Sequence, residues 1–318
     1  MRWLALLLGL VVALPAAAAD AWPNRLIRLI VPYPPGGPAD IMGRLAAQKI
    51  GERLGVTTVV ENRSGASGTV GAEAVHVAPA DGYTLLVAPS VHIMGQQVMR
   101  NVPYDPIGGF TPVARFGQGP LLVLANPGVP GRTIAEALPA IRARPNSFSF
   151  GLSALGAANH LAVLDFNRLA RLDLLIVPYR GSAPALTDLL GGQVQLMIDP
   201  IIGALPHVRD GRLKALAVTS PHRSPIAPGI PTAAESGLPG LEIVSWYGVW
   251  GPRGLPAEIV ARVNEALNQS MREPQVIERL ASLGFEPVTE SPAEFVAYIN
   301  ADLRRSTALL RAARFNPE

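Results

Sequence analysis

The chain has no cysteine, which excludes a disulfide framework and any thiolate metal site. A protein of this length can rely on hydrophobic burial and needs no covalent staples. Only 16% of its residues are charged and the formal net charge is +3. No Lys/Arg run with interleaved aromatics occurs, which argues against nucleic acid as a partner. The five histidines, His76, His92, His160, His207 and His222, are scattered. None pairs at H-x-x-x-H spacing, so no metal is expected, and each reads as a surface or capping residue.

Catalytic templates are missing as well. G-x-S-x-G is absent, because Gly151-Leu152-Ser153-Ala154-Leu155-Gly156 misses it by one residue. Gly117-Gln118-Gly119 lacks the third glycine of a dinucleotide fingerprint, and there is no Walker loop. No pair of carboxylates sits in a loop of the kind that raises a pKa for acid–base work. No cofactor is expected. A triad assembled in space leaves no linear signature, so an exported hydrolase is the alternative that spacing alone does not remove.

What is present begins with a leader. Arg2 supplies a positive start, Leu4 to Leu14 is apolar, and small residues from Ala16 to Ala19 follow Pro15. That pattern predicts a secretory signal over residues 1–21, cleaved after Ala19 or Ala21, and hence a periplasmic location. The apolar stretch is short for a bilayer span, which takes about 20 residues. The remainder is long enough for two domains of ordinary size.

Apolar strand-like runs then alternate with amphipathic helical ones. Strands are predicted at Leu26–Val31, Thr58–Glu61, Thr84–Ala88, Leu121–Ala125, Phe148–Phe150, Leu174–Val177, Gln195–Ile198 and Leu213–Val218. Helices are predicted at 41–54, 69–77, 133–143, 159–170, 183–191 and 201–210, with two longer ones at 256–283 and 292–314. The alternation predicts an α/β class with mostly parallel sheets. Breaks near Asn126-Pro127-Gly128 and Ser220-Pro221 divide the chain into a first lobe, 22–125 plus 221–318, and a second, 126–220. Two crossings between lobes make a hinge with a ligand cleft. No repeat of fixed period is present.

Two loops carry the candidate site. Arg25 to Asp40 reads as a buried strand running into Tyr33-Pro34-Pro35-Gly36-Gly37 and then a helix that Asp40 caps. Glycines let backbone N–H groups approach a guest, and a helix N-terminus suits a carboxylate or phosphate. An ordinary strand-to-helix turn has the same signature. The second loop runs from Gly151 to Ala158 after a strand, with Ser153 offering a free hydroxyl and Asn159 a cap for the next helix. Two such loops facing each other clamp one anion from both sides.

Many short motifs in order give the chain a specific resemblance. They include V-P-Y-P-P-G-G-P-A-D (31–40), V-V-E-N-R-S-G-A-S-G-T-V-G-A-E (59–73) and P-A-D-G-Y-T-L-L (79–86). V-P-Y-D-P (102–106), V-P-Y-R-G-S-A-P-A-L-T-D-L-L-G-G-Q-V (177–194) and P-T-A-A-E-S-G-L-P-G (231–240) follow. The chain resembles the solute receptors of tripartite tricarboxylate transporters, the Bug/TctC-type extracytoplasmic binding proteins. The resemblance implies a type II periplasmic-binding-protein fold, two α/β lobes closing over a small carboxylate, with inner-membrane permease subunits as partners. It implies a ligand set of Tyr33, Pro35, Gly36, Gly37 and Asp40 from the first loop and Ser153, Gly156, Ala157, Asn159 and His160 from the second. Ser90, Tyr179, Ser182 and Asp199 join them at strand ends. Asp199 as a helix cap and Tyr179 as a packing residue are the competing readings.

Relatives commonly carry Y-G-S-S-G-x-G-T-x-x-H where this chain has F-G-L-S-A-L-G-A-A-N-H (150–160). Leu152, Ala154 and Ala157 replace a serine, a glycine and a threonine, so two hydroxyl donors are lost. A polar di- or tricarboxylate would then leave oxygens unsatisfied, at about 1–3 kcal/mol each. The expected solute is a monocarboxylate, or an aromatic or otherwise apolar-bodied carboxylate, unless Leu152 points away from the cleft. A monomeric transport receptor is the expectation, and a sensor that presents its closed form to a membrane kinase is compatible with the same residues.

Overall fold

The computed structural model describes residues 22–179 and 181–317, so the predicted leader lies outside the described residues. The chain starts with β1 (Ile27–Val31), in which only Arg28 is exposed. Then come α1 (Pro38–Leu54), β2 (Thr58–Asn62), α2 (Thr69–His76), β3 (Thr84–Pro89) and the single turn α3 (Gly95–Val98). β1 lies parallel between β2 and β3, with α1 and α2 as the crossovers that parallel pairing requires. The long β4 (Phe110–Ala125) follows.

The middle of the chain supplies α4 (Ile134–Ala143), β5 (Ser149–Leu152), α5 (Ala158–Ala170), β6 (Leu175–Pro178), α6 (Ser182–Leu190), β7 (Leu196–Pro200), α7 (Ile201–Arg209) and β8 (Lys214–Val218). The chain ends with β9 (Val244–Pro252), α8 (Ala257–Ser270), α9 (Pro274–Ser282), the two-residue β10 (Glu286–Pro287) and α10 (Pro292–Ala312). The single helix expected over 256–283 is two. Pro274 holds Glu273 extended at ψ 129°, since the residue before a proline is driven out of the helical region.

The strands form one curled sheet in the order β2-β1-β3-β9-β4-β7-β5-β6, with β8 and β10 also on β4. Its wings are parallel, as expected, but its centre is antiparallel. β4 pairs antiparallel with β9 from Phe110 to Pro120, and its last five residues, Leu121 to Ala125, pair instead with β7 and β8. One strand therefore belongs to two half-sheets, and its partners change between Pro120 and Leu121. β9 and the first part of β4 were not predicted as strands.

Three apolar layers close the sheet. One lies under α1, α8 and α9, with Met42, Phe116, Val263 and Leu280. Another lies under α6 and α7, with Leu122, Leu189 and Met197. The third is continuous across both halves and joins Leu86 and Trp250 to Leu121, Phe150 and Phe166. Among the described residues no helix is long and apolar enough to cross a membrane.

Candidate functional site between two strand-to-helix loops

The first loop joins β1 to α1. Gly37 is the N-cap with no capping side chain, and Pro38 is the first helical residue, where its missing N–H costs nothing. Asp40 is thus not the cap expected from sequence but the third residue of the helix. From there its Oδ2 accepts the Gly36 N–H at 3.0 Å and Arg44 Nε at 2.9 Å, while Oδ1 accepts Asn62 Nδ2 at 2.9 Å. Asn62 Nδ2 also donates to Tyr33 O at 3.0 Å. Burial alone would raise the Asp40 pKa, but the bonds from Arg44, Gly36 and Asn62 outweigh it and hold the carboxyl low. Asp40 shapes the loop and leaves the helix end free. Gly36 sits at φ +84°, a left-handed conformation natural to glycine.

The second loop joins β5 to α5. Ala157 is its N-cap, again without a side-chain bond, so Asn159 is inside the helix and not the cap expected. Asn159 Nδ2 donates to Ser153 Oγ at 2.7 Å, and Ser153 donates to Asp199 Oδ1 at 2.8 Å. The Ser153 hydroxyl is therefore not free. Asp199 is 1% exposed at the end of β7, not a cap of α7, whose N-cap is Pro200. Burial pushes its carboxyl up to about 6, against the opposing hydroxyls of Ser182 and Ser153. Gly156, at φ +73°, donates its N–H to His160 Nδ1 at 3.1 Å. Burial pushes His160 down to about 4, so the ring is neutral at pH 7 with its proton on Nε2. Leu152 is fully buried, and strand alternation puts it on the Phe150 face.

A Cβ on Gly156 would lie 2.7 Å from Val98 Cγ1, so the second loop rests against the end of α3. Tyr33 donates its hydroxyl to Ser67 O at 3.2 Å. Its pKa is raised by burial and then by Tyr247 and Tyr104. Burial also pushes Tyr247, on β9, up to about 12, with the nearby Asp199 charge adding to it. Tyr247 lies buried on the central strand β9. It was missed because its strand was missed, as were Val98, Asn62 and Ser67.

The remaining candidates fall less centrally. Ser90 is buried and opens the 3-10 turn Ser90–Met94 after β3. Tyr179 turns its hydroxyl away to Asp188 Oδ2 at 2.7 Å, the packing role of the competing reading. Ser182 starts α6, and Pro35 is exposed. His92 and His160 are buried, at 8% and 2% exposure, and correct the expectation of surface histidines. His92 lies edge-on to Phe110 and Trp250 at 4.7 and 4.8 Å, and burial pushes it down to about 3.

Volume does not point to the same place as chemistry. A hollow of about 1140 Å³ is an open groove lined by Ser147, Asn167, Arg168, Gln195 and Arg314. Only about 10 Å³ remains beside Tyr33, Ser67, His92 and Tyr104. The loops, with two uncapped helix ends and the buried Asp199, remain the candidate site.

Residues 42–315 match the tripartite tricarboxylate transporter family receptor. The chain is similar to Protein BugT of Bordetella pertussis, 36% identical over 296 residues that span 92% of this chain and 91% of that protein. Its fold is similar to that of R. palustris Rpa4515 with adipate, at TM-score 0.85 and 36% identity, covering 93% of this chain and all (100%) of that one. MatC (Rpa3494) from Rhodopseudomonas palustris with bound malate matches at TM-score 0.77 and 32% identity, over 91% and 100% of the two chains.

Proposed function

The chain belongs to the tripartite tricarboxylate transporter receptor family, and on that premise we propose that it is an exported, monomeric receptor. It captures a small carboxylate between its lobes and delivers it to a tripartite tricarboxylate-type membrane permease, with no chemistry of its own. The observation that carries the reading is the pair of uncapped helix N-termini, α1 behind Gly37 and α5 behind Ala157. The loop before α5 packs on α3 through Gly156 and Val98, and Val98 lines one small hollow with Tyr33 of the loop before α1. The first N–H groups of each helix have no intrahelical acceptor, and the helix dipole favours an anion there.

In this reading the lobes are 22–120 with 244–317, and 121–243. The change of β4 partners at Pro120/Leu121 supports the first divide. The packing of the return segment on the second half supports the other, since Ser236 Oγ donates to Leu216 O and accepts the Ile134 N–H, both at 2.7 Å.

The solute is an apolar-bodied carboxylate. Ser153 is spent on Asp199 and one Asn159 N–H on Ser153, so the second loop has few side-chain donors left for a polar ligand. A compact polycarboxylate packed near ionised Asp199 would be repelled, whereas four methylenes let the second carboxylate of adipate lie farther off. Adipate, held by the similar Rpa4515, has such a body. The test is thermal unfolding against adipate, benzoate, malate and citrate. A ligand at about 100 times its Kd adds about 2.7 kcal/mol to stability. We expect adipate or benzoate to shift the midpoint more than citrate does. A shift with citrate alone would overturn the apolar-body reading, and no shift with any of them the carboxylate reading.

A further inference from the structure

The end of the chain is held by both halves of the molecule. α10 stops at Ala312, and Arg314 then turns the backbone at φ +52°, a left-handed conformation that non-glycine residues seldom take. The turn is closed by Arg314 N–H to Arg311 O and Phe315 N–H to Leu310 O, both at 3.0 Å, which aims Phe315 back into the molecule. Phe315 is half-buried against the apolar layer shared by both halves. Its ring stands edge-on to His160, with centroids 5.1 Å apart at 68°. Two residues later, Pro317 O accepts a bond from Arg100 Nε at 2.9 Å.

These contacts close a ring. Phe315 touches His160, and His160 Nδ1 takes the Gly156 N–H at 3.1 Å. Gly156 rests against Val98. Two residues beyond Val98, Arg100 returns to the tail. The tail therefore bears on the ligand loop of one half while it is anchored to the other half, beside the contact between Gly156 and the end of α3. No motif in the sequence marks it.

We propose that Phe315–Pro317 is a positioning strap, which holds the loop Ser153–His160 against α3 and so sets how long the clamp stays shut on its ligand. The last part of this rests on the carboxylate-clamp reading; the positioning of the loop does not. A tail that merely packs would protect only itself. A strap protects the loop and α3 together, and its loss speeds ligand release while leaving association unchanged.

The experiment is hydrogen exchange on the full chain with Phe315→Ala, Phe315→Tyr and Arg100→Ala, together with adipate association and release by surface plasmon resonance. In Phe315→Ala we expect exchange over 153–160 and 95–100 to rise together, and adipate release to quicken by up to about tenfold, the size of one edge-to-face aromatic contact. Phe315→Tyr keeps the ring edge and should behave as wild type, while Arg100→Ala should move both segments in the same direction as Phe315→Ala. Faster exchange confined to 313–317, or unchanged exchange over 153–160, overturns the strap. Exchange is read without ligand, so it decides the strap even if wild type binds no adipate. That result would count against the carboxylate reading alone.

Discussion

Asp199 sets the acid–base behaviour of the second loop. Burial raises its folded pKa from 3.8 to about 6, so the folded state holds this proton more tightly than the unfolded chain does. The contribution is full below pH 4 and is lost as pH rises through about 6. Two pKa units correspond to roughly 2–3 kcal/mol. His160 and His92 act in the opposite sense, because burial keeps both neutral and the unfolded chain takes up their protons first. Comparison with Asp199→Asn cancels the histidines. Urea unfolding from pH 4 to 7 should show wild type losing stability relative to Asp199→Asn across that window. A constant difference would mean that Asp199 ionises normally. Asp199 also shows how far a residue can be read from sequence. Its place at a strand end follows from the apolar run before it, but its bond from Ser153 joins residues 46 apart in the chain, and no local pattern records that.

The strand–loop–helix units were the most legible elements. β1 is a compact apolar run stopped by Pro32, and the proline–glycine loop after it starts a helix wherever the next apolar residues recur at helical spacing. The cap was misread because Asp beside a helix start fits two positions. At the third helical position its carboxylate reaches back to the Gly36 N–H, much as the acid of a capping box does. Asp40→Ala should therefore loosen the loop. It leaves the Gly36 N–H and Asn62 Nδ2 short of an acceptor, at about 1–3 kcal/mol of folding stability. Denaturant unfolding should show that loss together with weaker adipate binding. Unchanged stability would mean that water replaces the carboxylate at no cost. β9 was illegible for a different reason. Ser245, Gly248, Gly251 and Pro252 interrupt its apolar run, and it is a strand because β3 and β4 supply hydrogen bonds on both of its edges.

At the scale of the whole molecule, β4 couples the halves, so closure must bend a strand and cannot simply swing on loops. Gly117 and Gly119 lie just before the change of partners, and a Cβ at Gly119 would lie 2.8 Å from Phe285 Cδ1, so the bend is tightly packed. A ligand can close such a hinge only by as much as it prefers the closed state. Moving the population from 1:99 to 99:1 takes about 5.5 kcal/mol of preference. In the present structure Gly156 packs on Val98 across the two halves, so opening the clamp would have to part them. Because the chain has no native cysteine, spin labels can be placed on exposed Gln96→Cys and Ala154→Cys without background. Pulsed electron resonance should give a broad or long distance without ligand, and adipate should collect it into the short one. If a carboxylate that raises the unfolding midpoint leaves that distribution unchanged, the protein binds without closing. A permease would then have no change of shape by which to tell a loaded receptor from an empty one.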